Sequence, residues 1–317
     1  MKPAFSIIFF TVGSGAGLGL LALAALLDLA QAGGVASPAL WRSALLGLVL
    51  VAAGLASSTL HLANPRNAWR SLARVRTSWL SREAALSLAL FPAAGLYIAL
   101  EARGVAGAGR MLLALLTVLL SWGVLVCTAM IYASLKPIRQ WHTLWTPVNY
   151  VLLGHWSGAL LLAATAGAYG AAPPWLLMAA GALGAIALAA KLAYWTAVGR
   201  GAPTTLAHAI GVDRGVRGPG ASPAAQARLL DVGHSGGTFL TGEFLFVLAR
   251  RHATLLRAVA LVFGFALPLA LLIAGLAGWH GVLALAACCM MGLLVERWLF
   301  FAEAKHTVRL FHGDART

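Results

Sequence analysis

Two side chains at the edges of apolar runs, His61 and Glu83, offer the clearest acid–base chemistry in this sequence. His61 closes one run and Glu83 opens the next. Between them lies Asn64-Pro65-Arg66-Asn67-Ala68-Trp69-Arg70-Ser71-Leu72-Ala73-Arg74-Val75, a basic stretch with tryptophans at 69 and 79. An imidazole titrates near neutrality. A His and a carboxyl flanking a short re-entrant segment can therefore exchange protons with a ligand held at that edge. The plainer alternative is a helix-end His and a Glu placed at a helix start by the dipole. Spacing does not separate the two.

A second group sits beyond the fourth apolar run. Ile131-Tyr132 ends that run, and Trp141-His142-Thr143-Leu144-Trp145-Thr146-Pro147 leads into the fifth. These aromatics either line a slot for a flat ring or form the ordinary aromatic belt of a membrane interface. Deeper in the apolar runs stand His155, Lys191 and the pair Glu296-Arg297. Such groups are costly in a bilayer and need partners. Neighbours in sequence do not face each other on a helix, so the partners of Glu296 and Arg297 are expected on other helices. A bis-His haem needs two histidines at matching depth, and His155 alone is clearly inside a run, so no haem is expected. Cys127, Cys288 and Cys289 lie in apolar runs without any C-x-x-C spacing. That pattern excludes a disulfide framework and speaks against a zinc or iron–sulfur site in this chain.

The elements that must position these groups follow from composition. Of 317 residues, 61% are hydrophobic and only 10% charged, far from the balance of a water-soluble domain and of a disordered chain. Crossing a bilayer takes about 20 mainly apolar residues. Eight such runs occur, at roughly 6–30, 43–62, 83–101, 111–134, 147–170, 175–198, 254–278 and 281–303. Their length and lack of alternation fit helices rather than barrel strands. The expected fold is thus an all-α integral membrane bundle of eight helices, one domain over 1–317. Its one large non-membrane segment is the loop 199–253.

Basic residues fall unevenly on the two ends of this bundle. The end holding both termini carries 18 Lys and Arg, from Lys2 through Arg316, and the other only Arg42, Arg103 and Arg110. The positive-inside rule then places both termini in the cytoplasm. Ala30-Gln31-Ala32 resembles a signal-peptidase site, but the first run is too long and its start carries only Lys2, so an uncleaved helix is expected. Gly13, Gly15, Gly17 and Gly19 form overlapping G-x-x-x-G pairs that suit close helix approach. They do not fit a dinucleotide fingerprint. In loop 199–253, Gly211 to Pro223 should be irregular, and Phe239 to Arg251 suits either an interfacial helix or an early start to the seventh helix. That basic loop either docks a partner protein or rests on anionic lipid. Nucleic acid is not implied by the charge.

Taken together, His61-Leu62-x-x-Pro65, Ala68, Ser71-Leu72, Arg74-Val75, Ser81, Glu83, Ile131-Tyr132 and Trp145-Thr146-Pro147 carry a resemblance. In these residues, and in helix number and spacing over nearly the whole length, the chain resembles the membrane anchor subunits of the dimethyl sulfoxide reductase family of complex iron–sulfur molybdoenzymes. The opening Pro3-Ala4-Phe5-Ser6-Ile7-Ile8-Phe9, the loop segments Leu240-Thr241-x-Glu243 and Ala249-Arg250-Arg251-His252, and the end Glu296 to Ala304 look most like the branch that serves sulfite oxidation.

The resemblance implies a multi-pass subunit of the bacterial inner membrane, without haem, that binds ubiquinone or menaquinone. It implies partners on the cytoplasmic side: an iron–sulfur subunit and a catalytic subunit with molybdopterin. It also implies a quinone site using His61 and Glu83, to which Arg74, Tyr132 and Trp145 match by pattern. His61 would hydrogen-bond one carrier oxygen, Glu83 would relay protons, Arg74 would favour anionic forms of the carrier, and Tyr132 and Trp145 would pack on its ring. Anchors of dimethyl sulfoxide, thiosulfate or other oxyanion enzymes share these features. A different class is a transporter, with His155, Lys191, Glu296 and Arg297 as a polar route, although the internal symmetry common in transporters is lacking.

Overall fold

The structure, a computed structural model, describes residues 3–59, 65–170, 172–201, 204–210, 252–275, 278–312 and 316–317. Among them are eight helices long and apolar enough to cross a membrane. In chain order they are α1 (Phe5–Leu29), α2 (Ser37–Thr59), α3 (Trp79–Ala102), α4 (Ala108–Ala133), α5 (Trp145–Ala168), α6 (Pro174–Arg200), α7 (Ala253–Ile273) and α8 (Trp279–Ala302). A 3-10 segment, Pro65–Arg74, precedes α3 and packs against it. No strand occurs among the described residues; Ile138 and His306 form an isolated bridge.

Two helices begin earlier than hydropathy suggests. Helix α2 starts at Ser37 because Pro38 suits a first turn, where its missing N–H costs nothing. Helix α3 starts at Trp79 because Ser78 caps it, its Oγ accepting the Ser81 N–H at 3.4 Å. Glu83 therefore does not open α3 as expected. It lies in the second turn, and no acidic residue occupies the first, so the helix dipole does not account for it.

Helices α1 and α5 form the centre. Helix α1 packs on α2, α4, α5 and α8, and α5 also contacts α2, α4, α6 and α8. The glycines of α1 allow this. A Cβ on Gly17 would stand 2.6 Å from the Gly47 carbonyl of α2, and one on Gly47 would stand 2.7 Å from the Gly17 carbonyl. Gly19 faces Gly154 of α5 in the same manner, and a Cβ on Gly154 would stand 2.8 Å from the Gly15 carbonyl, whereas a Cβ on Gly13 or Gly15 would meet nothing within 4 Å.

Helix α7 contains a π turn at Val262–Ala266. Pro268 has no N–H for the Gly264 carbonyl one turn back. The Trp156 indole of α5 donates to that carbonyl at 2.9 Å. Of the loop after α6, residues 204–210 form one helical turn, Leu206–Ala209, capped by Thr205. Thr204 and Thr317 exchange two backbone hydrogen bonds there, at 2.9 and 3.0 Å. The Gly211–Pro223 and Phe239–Arg251 expectations lie outside the described residues.

Candidate functional site

Glu83 is 4% exposed. It belongs to the stripe of α3 that faces α4, and the Thr128 hydroxyl of α4 donates to its Oε1. Thr128 also lies 2.9 Å from the Val124 carbonyl. A carboxyl buried this deeply, with one hydroxyl as its close partner, can hold a proton and pass it on. Thr128 is inconspicuous in the sequence because a threonine within an apolar run resembles packing. Its depth matches that of Glu83 once the α3–α4 register is known.

The segment before α3 is tied down by Arg82. Its Nε donates to the Val75 carbonyl at 2.9 Å and its Nη2 to the Arg76 carbonyl at 2.7 Å, while the guanidinium lies 4.3 Å from the Trp79 ring centre. Arg74 ends the 3-10 segment with an exposed side chain, and its carbonyl accepts from the N–H groups of Thr77 and Ser78. His61 lies outside the described residues.

Tyr132 is the hub of an aromatic cluster between α4, α5 and α8. Its ring centre lies 5.3 Å from Trp141, 5.8 Å from Tyr150, 5.7 Å from Phe300 and 5.3 Å from Phe301. Trp145 packs against this cluster. Trp141, buried, stacks on Phe300 and donates its indole N–H to the Phe300 carbonyl at 2.9 Å. Tyr132 follows Thr128, the partner of Glu83, by one turn of α4. The structure thus brings Glu83 and Tyr132 to one end of the α3–α4 pair, with Arg74 exposed on the flanking segment.

The intramembrane charges of the last helices meet. Lys191 of α6 is 1% exposed and pairs with Glu296 of α8. Arg297 Nε lies 3.0 Å from Glu296 Oε2, and its guanidinium stands 4.0 Å from the Tyr150 ring centre. The expected partner on another helix is present for Glu296, in Lys191, but the expectation that adjacent Glu296 and Arg297 do not meet is corrected. Both side chains are long enough to curl together where an aromatic face blocks the outward path. His155 has other partners: its Nε2 accepts the Trp122 indole N–H at 2.9 Å, and its Nδ1 lies 2.8 Å from the Val151 carbonyl. The cysteines are free thiols, and no cluster of three His, Cys, Asp or Glu that could hold a metal lies among the described residues.

The opposite end carries a constellation that hydropathy hid. Arg110 Nη1 lies 2.7 Å from Asp28 Oδ1 and pairs also with Glu101, and Ser37 Oγ donates to Glu101 Oε1 at 2.7 Å. These four residues line a cavity of about 330 Å³. Each is a single polar residue at a different helix end, so only the fold reveals the group.

The eight-helix fold, with its charged side chains near the helix ends and in one buried ion network among the described residues, defines a multi-pass membrane protein. Residues 1–193 match the model of the DMSO reductase anchor subunit (DmsC) family. The chain belongs to that family. It is 36% identical to a sulfite dehydrogenase subunit of Allochromatium vinosum, over 98% of this chain and 99% of that protein. It is also 31% identical to a chain of the anaerobic dimethyl sulfoxide reductase of Escherichia coli, over 36% of this chain and 40% of that one.

Proposed function

We propose that this anchor subunit binds quinone beside Glu83 and passes electrons between a partner's iron–sulfur clusters and the quinone pool. The similarity to a sulfite dehydrogenase subunit along the full length favours sulfite oxidation as the partner's reaction. The molybdopterin and the clusters belong to the partner subunits, which bind at the arginine-rich end, the cytoplasmic face of the inner membrane by the charge rule.

The observation that carries the reading is the buried carboxyl of Glu83 on its Thr128 hydroxyl, next to a basic segment pinned by Arg82. These residues suit a carrier that needs a proton donor on one side and access from lipid on the other. A bound quinone supplies a two-electron, two-proton redox couple. Glu83 holds a proton at Oε1 and moves it, with Thr128 keeping the carboxyl oriented. His61 is the second proton-bearing group, as the family resemblance implies. Arg74 contributes positive charge at the rim. Tyr132 and Trp145 would pack against the carrier's ring.

Purification of the chain with its native partners tests the reading. The expected preparation contains molybdenum and iron and reduces or oxidises a soluble quinone analogue. His61→Gln and Glu83→Gln complexes should assemble, retain dye-linked activity of the catalytic subunit, and lose most quinone-linked turnover. Assembled variants with full quinone-linked turnover would rule out this site.

A further inference from the structure

The seam between α3 and α4 is polar along its whole length. Glu83 meets Thr128 at one end and Glu101 meets Arg110 at the other. Glu83 and Glu101 are eighteen residues apart on α3, as are Thr128 and Arg110 on α4. One antiparallel register therefore satisfies both pairs, about 27 Å apart along the axis at 1.5 Å per residue.

That register aligns the facing stripes level by level. Ser87 lies opposite Val124, Leu90 opposite Ser121, Ala94 opposite Thr117, and Tyr97 opposite Ala114. Wherever one helix offers an apolar residue, the other offers a hydroxyl. Successive polar levels are three or four residues apart, about 4.5 to 6 Å of rise. All four hydroxyl residues are buried, Ser87 at 4% exposure and Ser121, Thr117 and Tyr97 at 0%.

Polar residues do tie membrane helices together, and such residues then bond to each other or to backbone, as Thr117 does to the Leu113 carbonyl at 2.8 Å. The Ser87 and Ser121 hydroxyls have no hydrogen-bond partner in the protein. A buried hydroxyl without a partner is costly, and two at consecutive levels of one seam point to something passing between them. Tyr97 continues the series one level before the Glu101–Arg110 pair, and its buried hydroxyl also has no hydrogen-bond partner. Beyond it the Asp28–Glu101–Arg110 group opens into the 330 Å³ cavity. Steps of this length are those that one bridging water spans.

We propose that this seam is a proton route joining Glu83 to the face that carries Asp28, Glu101 and Arg110. It rests on the reading of Glu83 as the proton-handling group of the quinone site. For each quinone reduced to quinol, two electrons leave one-electron carriers of a partner subunit, which are oxidised. Two protons reach Glu83 along the seam from the opposite face. In the reverse reaction both leave by the same ways. Electrons and protons then enter from opposite faces, so quinone turnover charges the membrane.

The test uses the purified complex with its partner subunits in liposomes, sealed with a pH dye inside and a potential-sensitive dye outside. Turnover is driven by a soluble quinone analogue and the catalytic subunit's own substrate or a redox dye. Wild type should generate a membrane potential, with the proton change on the face of Asp28. Ser87→Ala/Ser121→Ala should lower quinone-linked turnover and potential at least fivefold, with dye-linked activity of the catalytic subunit unchanged. A wild-type proton change on the arginine-rich face overturns the route, and this readout needs no variant. A double variant with normal turnover and potential, beside a Glu83→Gln that has lost turnover, overturns the route alone. Full turnover by Glu83→Gln overturns the site, and the route with it, because its end point is gone.

Discussion

Thr128 serves two acceptors with one proton: its hydroxyl contacts Glu83 Oε1 and also lies 2.9 Å from the Val124 carbonyl. When Glu83 is ionised, the hydroxyl turns to the carboxylate. When Glu83 is protonated, the carboxyl donates to Thr128 Oγ1 and the hydroxyl turns to Val124. Neither state leaves a buried polar group stranded, which suits a residue that must gain and lose a proton in place.

Removing that partner should therefore impair proton exchange rather than assembly. Thr128→Val keeps the volume but leaves the carboxylate without its donor, a loss of about 1.5–3 kcal/mol for a bond to a charged group. Quinone-linked turnover should fall about tenfold or more, while Thr128→Ser stays within about twofold of wild type. Turnover of both variants in matched amounts of assembled complex decides the matter. Equal activities would mean that Thr128 only packs.

The ion network in α6 and α8 has one carboxylate for two cations, and this sets a ranking. Lys191→Met leaves Glu296 neutralised by Arg297. Glu296→Gln leaves Lys191 and Arg297 as buried like charges, and an uncompensated buried charge costs about 3–5 kcal/mol. Glu296→Gln should lower the thermal midpoint in detergent more than Lys191→Met does. The reverse order would show that the lysine is the keystone.

How much of this was legible beforehand depends on periodicity and on distance. Long apolar runs announce helices by themselves, so the eight spans were readable from hydropathy, and so was the packing role of Gly17 and Gly19, though Gly13 and Gly15 do not share it. The start of α3 was not, because a cap such as Ser78 acts through one hydrogen bond that hydropathy does not register. Thr128, Asp28, Glu101 and Arg110 were missed for a different reason. Each is unremarkable in its own segment, and their pairing is a property of the helix register. Glu296–Arg297 ran against a sound rule about backbone directions because long side chains bend.

The glycines of α1 give a test with an internal control. Gly17→Leu drives a side chain into the Gly47 carbonyl and Leu50, whereas Gly13→Leu meets nothing within 4 Å. Gly17→Leu should abolish accumulation of folded protein in membranes, and Gly13→Leu should accumulate near the wild-type level. Quantitative blotting of membrane fractions distinguishes them, and equal levels would show that α1 and α2 separate without consequence.

The π turn of α7 and the indole of Trp156 should be energetically coupled. Pro268 withholds an N–H from the Gly264 carbonyl, and Trp156 donates to it at 2.9 Å with Cys289 Sγ at 3.4 Å as a weaker second contact. Trp156→Phe removes the main donor and some packing, at a cost of about 1–3 kcal/mol. Pro268→Ala restores a backbone N–H that can reach the same carbonyl. The double variant Trp156→Phe/Pro268→Ala should then be less destabilised than the two single changes predict when added. Thermal midpoints of the four forms in one detergent supply the cycle. Strict additivity would mean that the carbonyl is served independently of the proline and that the π turn arises from packing against Gly292 of α8.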